Sequence, residues 1–214
     1  MINTVISFFQ SGGPFMYPIL LVLAIGLAIS VERYFYLSSA GRSNRKMVSQ
    51  VLPLLQKGEI SEVIGFAKNG PPNATISKIL IQGLNSFQTA RRRDDIEASM
   101  EETIMEVIPR LEKRTHYLAL FANIATLLGL LGTIMGLIKA FTAVAQVDPS
   151  MKAEILSTSI SVAMNTTAFG LIVAIPLLIL YTILQTKTTE IIDSLEMTTV
   201  RIVNNLCKIK KSTD

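Results

Sequence analysis

Apolar positions along the chain follow two patterns. Three stretches, residues 1–31, 117–138 and 156–185, carry no charged side chain. A membrane helix needs roughly 20 predominantly apolar residues, so each stretch predicts a span. The first is densest over 15–31 and continues amphipathically to Leu37. Elsewhere the apolar residues recur at helical spacing. Val48, Val51, Leu52, Leu54 and Leu55 give a short amphipathic stretch, and Ile60, Val63, Ile64 and Ala67 a second. Gly70-Pro71-Pro72-Asn73 is a breaker, after which Ile76, Ile79, Leu80 and Leu84 share one face over about 75–87. A further helix opens near Arg91-Arg92-Arg93-Asp94-Asp95, with Ile96, Met100, Ile104, Val107, Ile108 and Leu111 in register toward the second span. That continuity predicts one very long helix bent near Pro109. Past the third span, Ile191, Ile192, Leu195, Thr199, Ile202, Val203 and Leu206 extend the pattern. No strand signal, internal repeat or low-complexity linker interrupts it.

The pattern predicts an all-α integral membrane protein with three transmembrane helices and long helical extensions. Its segments are an N-terminus and first span (1–37), a helical domain (38–116), a second span (117–141), a short loop (142–155), a third span (156–185) and a helical tail (186–214). Composition agrees: half of the 214 residues are hydrophobic and the mean hydropathy is +0.45, apolar for a soluble chain of this size. The first span lacks a basic leader and meets Glu32-Arg33 without a small-residue cleavage motif, so it reads as a retained helix.

Charge sets the orientation. The 38–116 segment holds 12 Lys and Arg against 9 acids, and 5 more cations follow Gln185. The segment before the first span holds none, and Lys139 and Lys152 alone mark the loop between spans two and three. The positive-inside rule therefore places the N-terminus outside, and the large segment and C-terminal tail in the cytoplasm. The arginine triplet is followed at once by two acids and has no aromatic interleaving, the pattern of a solvated helix start rather than a nucleic-acid surface.

The spans carry residues that an anchor does not require. With Thr133 at zero on a helical wheel, Ala119, Ala122, Thr126, Gly129, Gly136 and Ala140 fall within about 60° of it. In the third span Ala163, Thr167, Gly170, Ala174 and Tyr181 align likewise, close to Asn165, Thr166 and Pro176. Small stripes of this kind let helices approach closely, with Gly132-x-x-x-Gly136 as one contact motif. They read either as packing seams whose Thr hydroxyls bond back to the backbone or as a hydroxyl-lined path in which Thr133 and Thr167 hold water or an ion. No acid, Lys, Arg or His lies inside the second or third apolar stretch. Proton relays through membranes use ionisable groups, so a partner would have to supply the carboxylate. His116 and Cys207 are the only His and Cys, which excludes an intrachain disulfide and any His/Cys metal cluster built within one chain. No nucleophile–base constellation points to an enzyme. His116 reads as an interfacial residue, and Glu32-Arg33 as a charged interfacial anchor.

Leu127-Leu128-Gly129-Leu130-Leu131-Gly132-Thr133-Ile134-Met135-Gly136-Leu137-Ile138-Lys139-Ala140-Phe141 resembles the second-helix signature of the MotA/TolQ/ExbB proton-channel family. Thr166-Thr167-Ala168-Phe169-Gly170-Leu171, through Ala174-Ile175-Pro176, resembles its third-helix signature, and Glu32-Arg33 resembles the motif closing its first helix. Three spans favour the TolQ/ExbB branch over the flagellar MotA branch. The resemblance implies a homopentameric ring around the single spans of an ExbD/TolR-like partner dimer, whose membrane Asp is the protonatable group. The family's pore threonines fall on Thr133 and Thr167, with Thr126, Thr166 and Asn165 beside them as candidate pathway residues; Gly129, Gly132, Gly136, Gly170, Ala174 and Pro176 are candidates for helix packing. Many TolQ/ExbB members carry Glu about one turn before the third-helix Thr, where this chain has Val162. The expected function is that of an inner-membrane stator driven by H+ or Na+, with no bound cofactor, that works on a TonB/TolA-like periplasm-spanning protein. A non-conducting scaffold of an envelope complex is the alternative.

Overall fold

A computed structural model describes residues 12–71, 74–89 and 92–213, with side chains excluded at Thr89 and from Lys210 onward. The first eleven residues of the expected outer N-terminus, Pro72-Asn73 of the breaker, and Arg91 of the arginine triplet lie outside the described residues. Six helices make up the described chain: α1 (Met16–Lys57), α2 (Ile60–Lys68), α3 (Thr75–Thr89), α4 (Arg93–Glu112), α5 (His116–Val144) and α6 (Lys152–Thr213). Among the described residues three stretches are long and apolar enough to cross a membrane: α1, α6 and 93–144, whose apolar part is α5.

Two boundaries differ from the sequence expectation. The first span and the amphipathic stretch around Val48–Leu55 form one 42-residue helix that continues through Pro53. It stops at Gly58, which takes φ 80°. There the Glu59 and Gly58 amides donate back to the Leu54 and Leu55 carbonyls at 3.1 Å each, a left-handed closure that satisfies orphan carbonyls. The expected continuous helix bent at Pro109 is instead two helices. Pro109 sits inside α4, and the interruption comes at Lys113–Thr115, where Arg114 adopts φ 66°. Pro109 removes one backbone donor while the chain continues for about a turn; the helix ends where Lys113 turns out of helical geometry at ψ 132° and Arg114 follows in the left-handed region.

Arg114 gives a direct test of that break. A non-glycine residue in the left-handed region is strained by about 1–3 kcal/mol, whereas Gly inside a continuous helix costs about 1 kcal/mol relative to Ala. Arg114→Gly is expected to hold or raise the thermal unfolding midpoint in detergent, and Arg114→Val to lower it. A continuous helix would reverse the ranking for Gly.

The chain divides into two compact units, Met1–Val31 with Arg114–Ile183, and Glu32–Lys113 with Leu184–Asp214. The first contains the start of α1, all of α5 and the apolar part of α6. Its interior combines small side chains, with Ala122, Ala125, Ala140, Ala163 and Ala174 all buried, and a few large ones, with Met16, Ile19, Leu118 and Leu177 fully buried. Leu127, Leu130, Leu131, Ile134, Leu171, Ile172, Ile175 and Ile179 are exposed on it, the surface expected where lipid or another membrane helix is the solvent.

In the second unit α2 packs on α3 and α3 on α4. Its core is conventional: Leu37, Leu55, Ile76, Ile79, Leu80, Leu84, Ile96, Met100 and Leu111 are fully buried. These are the same apolar faces the periodicity marks. Arg33, expected at an interface, is 3% exposed. Its guanidinium donates to the Leu111 carbonyl and lies 4.7 Å from the Tyr36 ring centroid. Leu111 O is among the last four carbonyls of α4, which have no partner within the helix, and a cation suits that end of the helix dipole. Arg33 thus caps α4 from α1 while Glu32 stays exposed. Hydrogen bonds to charged groups contribute about 1.5–3 kcal/mol. Arg33→Ala is expected to lower stability by that order in a thermal melt, and Arg33→Lys, which lacks the planar fork, to restore only part of it.

Candidate functional site

The site is built where α5 meets α6, and glycine permits the approach. A Cβ placed on Gly170 would lie 2.7 Å from the Ala125 carbonyl oxygen and 3.1 Å from the Gly129 Cα. One on Gly129 would lie 3.2 Å from the Thr167 Cα and 3.3 Å from the Gly170 Cα. The atoms met are backbone, so nothing can rotate out of the way. Along the same seam Gly132 faces the Thr166 methyl and Gly136 faces the Ala163 Cβ. The pairs 136–163 and 129–170 run in opposite directions along the two helices, so α5 and α6 are antiparallel. Ala174 is buried. Pro176, expected to pack, is exposed within the protomer: its place on the wheel is turned away from the buried positions Ala163, Thr166, Gly170, Val173 and Leu177. It also deprives the Ile172 carbonyl of its helical donor.

The threonines divide by what their hydroxyls do. Thr167 donates across the seam to the Gly129 carbonyl at 2.8 Å. Thr166 is 2% exposed and bonds the Val162 carbonyl at 3.0 Å and the Gly12 carbonyl; it lies inside the packing rather than on an accessible face. Thr126 and Thr133 donate within α5, to Ala122 O at 3.1 Å and Leu130 O at 2.6 Å. Asn165 is half-buried.

The buried positions of α5, Leu118, Ala122, Ala125, Gly129, Gly132 and Ala140, centre about 50° from Thr133 at 100° per residue. Thr126 and Thr133 therefore flank the seam instead of lying at its middle. Thr167 flanks the buried face of α6 by a similar angle, and for antiparallel helices the two offsets fall on one side. Thr126, Thr133 and Thr167 thus border a single edge of the seam. That convergence was not legible from either helix alone.

Each of these hydroxyls has its proton committed to a backbone carbonyl and keeps lone pairs free to accept. The edge therefore offers oxygen acceptors to a water or a small cation and holds no group of its own that titrates. Among the described residues no cluster of His, Cys, Asp or Glu is placed to hold a metal.

Fold and seam together define an all-helical, multi-pass membrane protein whose second and third spans meet on glycine with hydroxyls along one edge. The chain belongs to the MotA/TolQ/ExbB proton channel family, which residues 72–197 match. The match includes every threonine and glycine of the seam. Over 197 residues the chain is 30% identical to a biopolymer transport protein ExbB homolog of Methanothermobacter thermautotrophicus, an alignment covering 91% of this chain and 68% of the relative. Biopolymer transport protein exbB1 of Vibrio cholerae is 48% identical over 59 residues, 28% of this chain and 26% of that one. Biopolymer transport protein ExbB of Salmonella typhimurium is 25% identical over 150 residues, 65% of this chain and 59% of that one.

Proposed function

We propose that the chain is the ion-conducting, ring-forming subunit of an inner-membrane motor that turns ion-motive force into mechanical work. Five copies surround the spans of an ExbD/TolR-like partner, with the N-terminus outside and the helical extensions in the cytoplasm, the side favoured by the Lys and Arg distribution. The edge bordered by Thr126, Thr133 and Thr167 faces the partner. There it solvates a proton or Na+ while the partner's membrane Asp alternates between charged and neutral forms. Relative movement of ring and partner passes force to a TonB/TolA-like protein and so drives transport across the envelope.

The observation that carries this reading is the alignment of three hydroxyls along one edge of spans two and three, in stretches that hold no ionisable side chain. An ionisable group is the usual requirement of a membrane proton relay, and here the partner provides it. A scaffold reading is favoured by one specific observation: all three hydroxyls already donate to backbone carbonyls, as packing threonines do. Reconstitution separates the two. Liposomes holding the ring with an Asp-bearing single-span partner are expected to pass H+ or Na+ down a gradient, and those with the partner's Asp changed to Asn are not. Flux that survives the Asp change, or is absent from the wild-type complex, contradicts the conduction reading. The subunit count is checked by native mass spectrometry, where five copies are expected and a monomer or dimer as the sole species would overturn the ring.

A further inference from the structure

Beyond conduction, we propose that the second unit carries a headgroup site for an anionic phospholipid in the groove between the 34–45 stretch of α1 and the 187–194 stretch of α6. The groove has a volume of about 450 Å³. Its room comes from small side chains at Ser38, Gly41 and Ser194, all in its wall. Arg42, Arg45 and Lys187 line it against one carboxylate, Glu190, which leaves an excess of two positive charges. Among the described residues none of these four forms an ion pair.

Lys187 is held in place: its ammonium donates to the Ser38 hydroxyl at 2.7 Å and lies 4.5 Å from the Tyr34 ring centroid. Two of its three protons remain for an acceptor. Asn44, also in the wall, is 6% exposed. Its carbonyl oxygen accepts from the Ile76 amide at 3.2 Å, while its Nδ2 has no hydrogen-bond partner. A buried amide donor without an acceptor is costly, and the cations that line the groove would draw an anionic oxygen to the wall that Asn44 helps to form.

The groove's position along the helices selects lipid over a dissolved anion. Lys187 stands two residues past the uncharged stretch that ends at Gln185, and the cations of α1 follow Tyr34 and Phe35, which are 52% and 66% exposed. Exposed aromatics at the end of a span occupy the headgroup layer, and basic pockets between membrane helices at that level hold anionic headgroups. Free inorganic phosphate would gain nothing from those rings. This assignment rests on the membrane reading of α1 and α6, not on ion conduction.

The test is lipid titration of the purified full chain in detergent, read by native mass spectrometry with phosphatidylglycerol and phosphatidylcholine. No ion flux enters the readout, so failure of the lipid site and failure of conduction are told apart. Phosphatidylglycerol is expected to bind at least tenfold more tightly. Lys187→Gln should remove most of that preference, and Arg45→Gln, which disturbs no hydrogen bond among the described residues, should lower it severalfold. Lys208→Gln, an equal charge change on the exposed tail, should leave it intact. Equal binding of the two lipids, or equal losses for Lys208→Gln and Arg45→Gln, would overturn the site. Displacement of phosphatidylglycerol by millimolar inorganic phosphate would overturn the lipid assignment in favour of a free anion.

Discussion

Gly170→Ala is expected to disrupt the paired spans more than the same change at Gly26, although both glycines sit in membrane helices against α5 or α6. The added methyl at Gly170 meets the Ala125 carbonyl oxygen at 2.7 Å and the Gly129 backbone beyond it. Accommodating it requires the helices to separate, which removes contacts along the whole seam. At Gly26 the methyl meets the Leu177 Cδ2 at 2.6 Å, the end of a side chain that has other rotamers. Overpacking a close-fitted site costs about 1–3 kcal/mol, and the upper end applies where only backbone can move. In a membrane no hydrophobic force between helices compensates for lost contact. Size exclusion and thermal unfolding in detergent should show Gly170→Ala dissociating or melting early and Gly26→Ala close to wild type. Equal behaviour of the two would mean that the α5–α6 approach is not what holds the paired spans together.

The second large effect separates chemistry from packing. Thr167→Val keeps the shape and removes the hydroxyl that bridges to Gly129 O. An interhelical side-chain hydrogen bond in a membrane contributes about 0.6 kcal/mol on average, too little to open a seam closed by four glycines. The assembly is therefore expected to survive. Ion flux is expected to fall by more than tenfold, because a methyl would stand where the proposed path has an oxygen acceptor. Thr133→Val, whose hydroxyl borders the same edge, should follow with a smaller loss.

Much of this arrangement was legible in the chain before its fold. The three uncharged stretches mark the spans because a bilayer imposes length and composition directly. Ile76, Ile79, Leu80 and Leu84 were legible as a buried face for the same kind of reason: helical period fixes which side chains share a side. The glycines at 129, 132, 136 and 170 were visible as a close-approach surface, since few other roles use Gly in a membrane helix.

What the chain concealed depends on two helices at once. The stripe on α5 is wide enough to admit several centres, and the seam's true centre, about 50° from Thr133, is set by what α6 presents. Thr166 and Thr167 are neighbours with the same side chain, yet one is buried and the other bridges, because a 100° step carries them to opposite flanks of one contact. Arg33 resembled a surface anchor, as most charged residues at a span's end are. Its burial follows from an unpaired carbonyl 78 residues away at Leu111, and no local signal reports that. The break at Arg114 was hidden because apolar spacing continues across it, while Pro109 offered a more conspicuous but incorrect cause.

Hydroxyls along the α5–α6 edge are proposed to conduct. The most direct measurement is ion flux into liposomes carrying the assembled chain with its Asp-bearing partner, comparing wild type, Thr167→Val and Thr167→Ser at matched assembly by size exclusion. Flux through Thr167→Val is expected to fall by more than tenfold while Thr167→Ser, which restores the oxygen in a smaller side chain, keeps most of it. Wild-type flux through Thr167→Val would contradict the proposal and leave the threonines as packing residues.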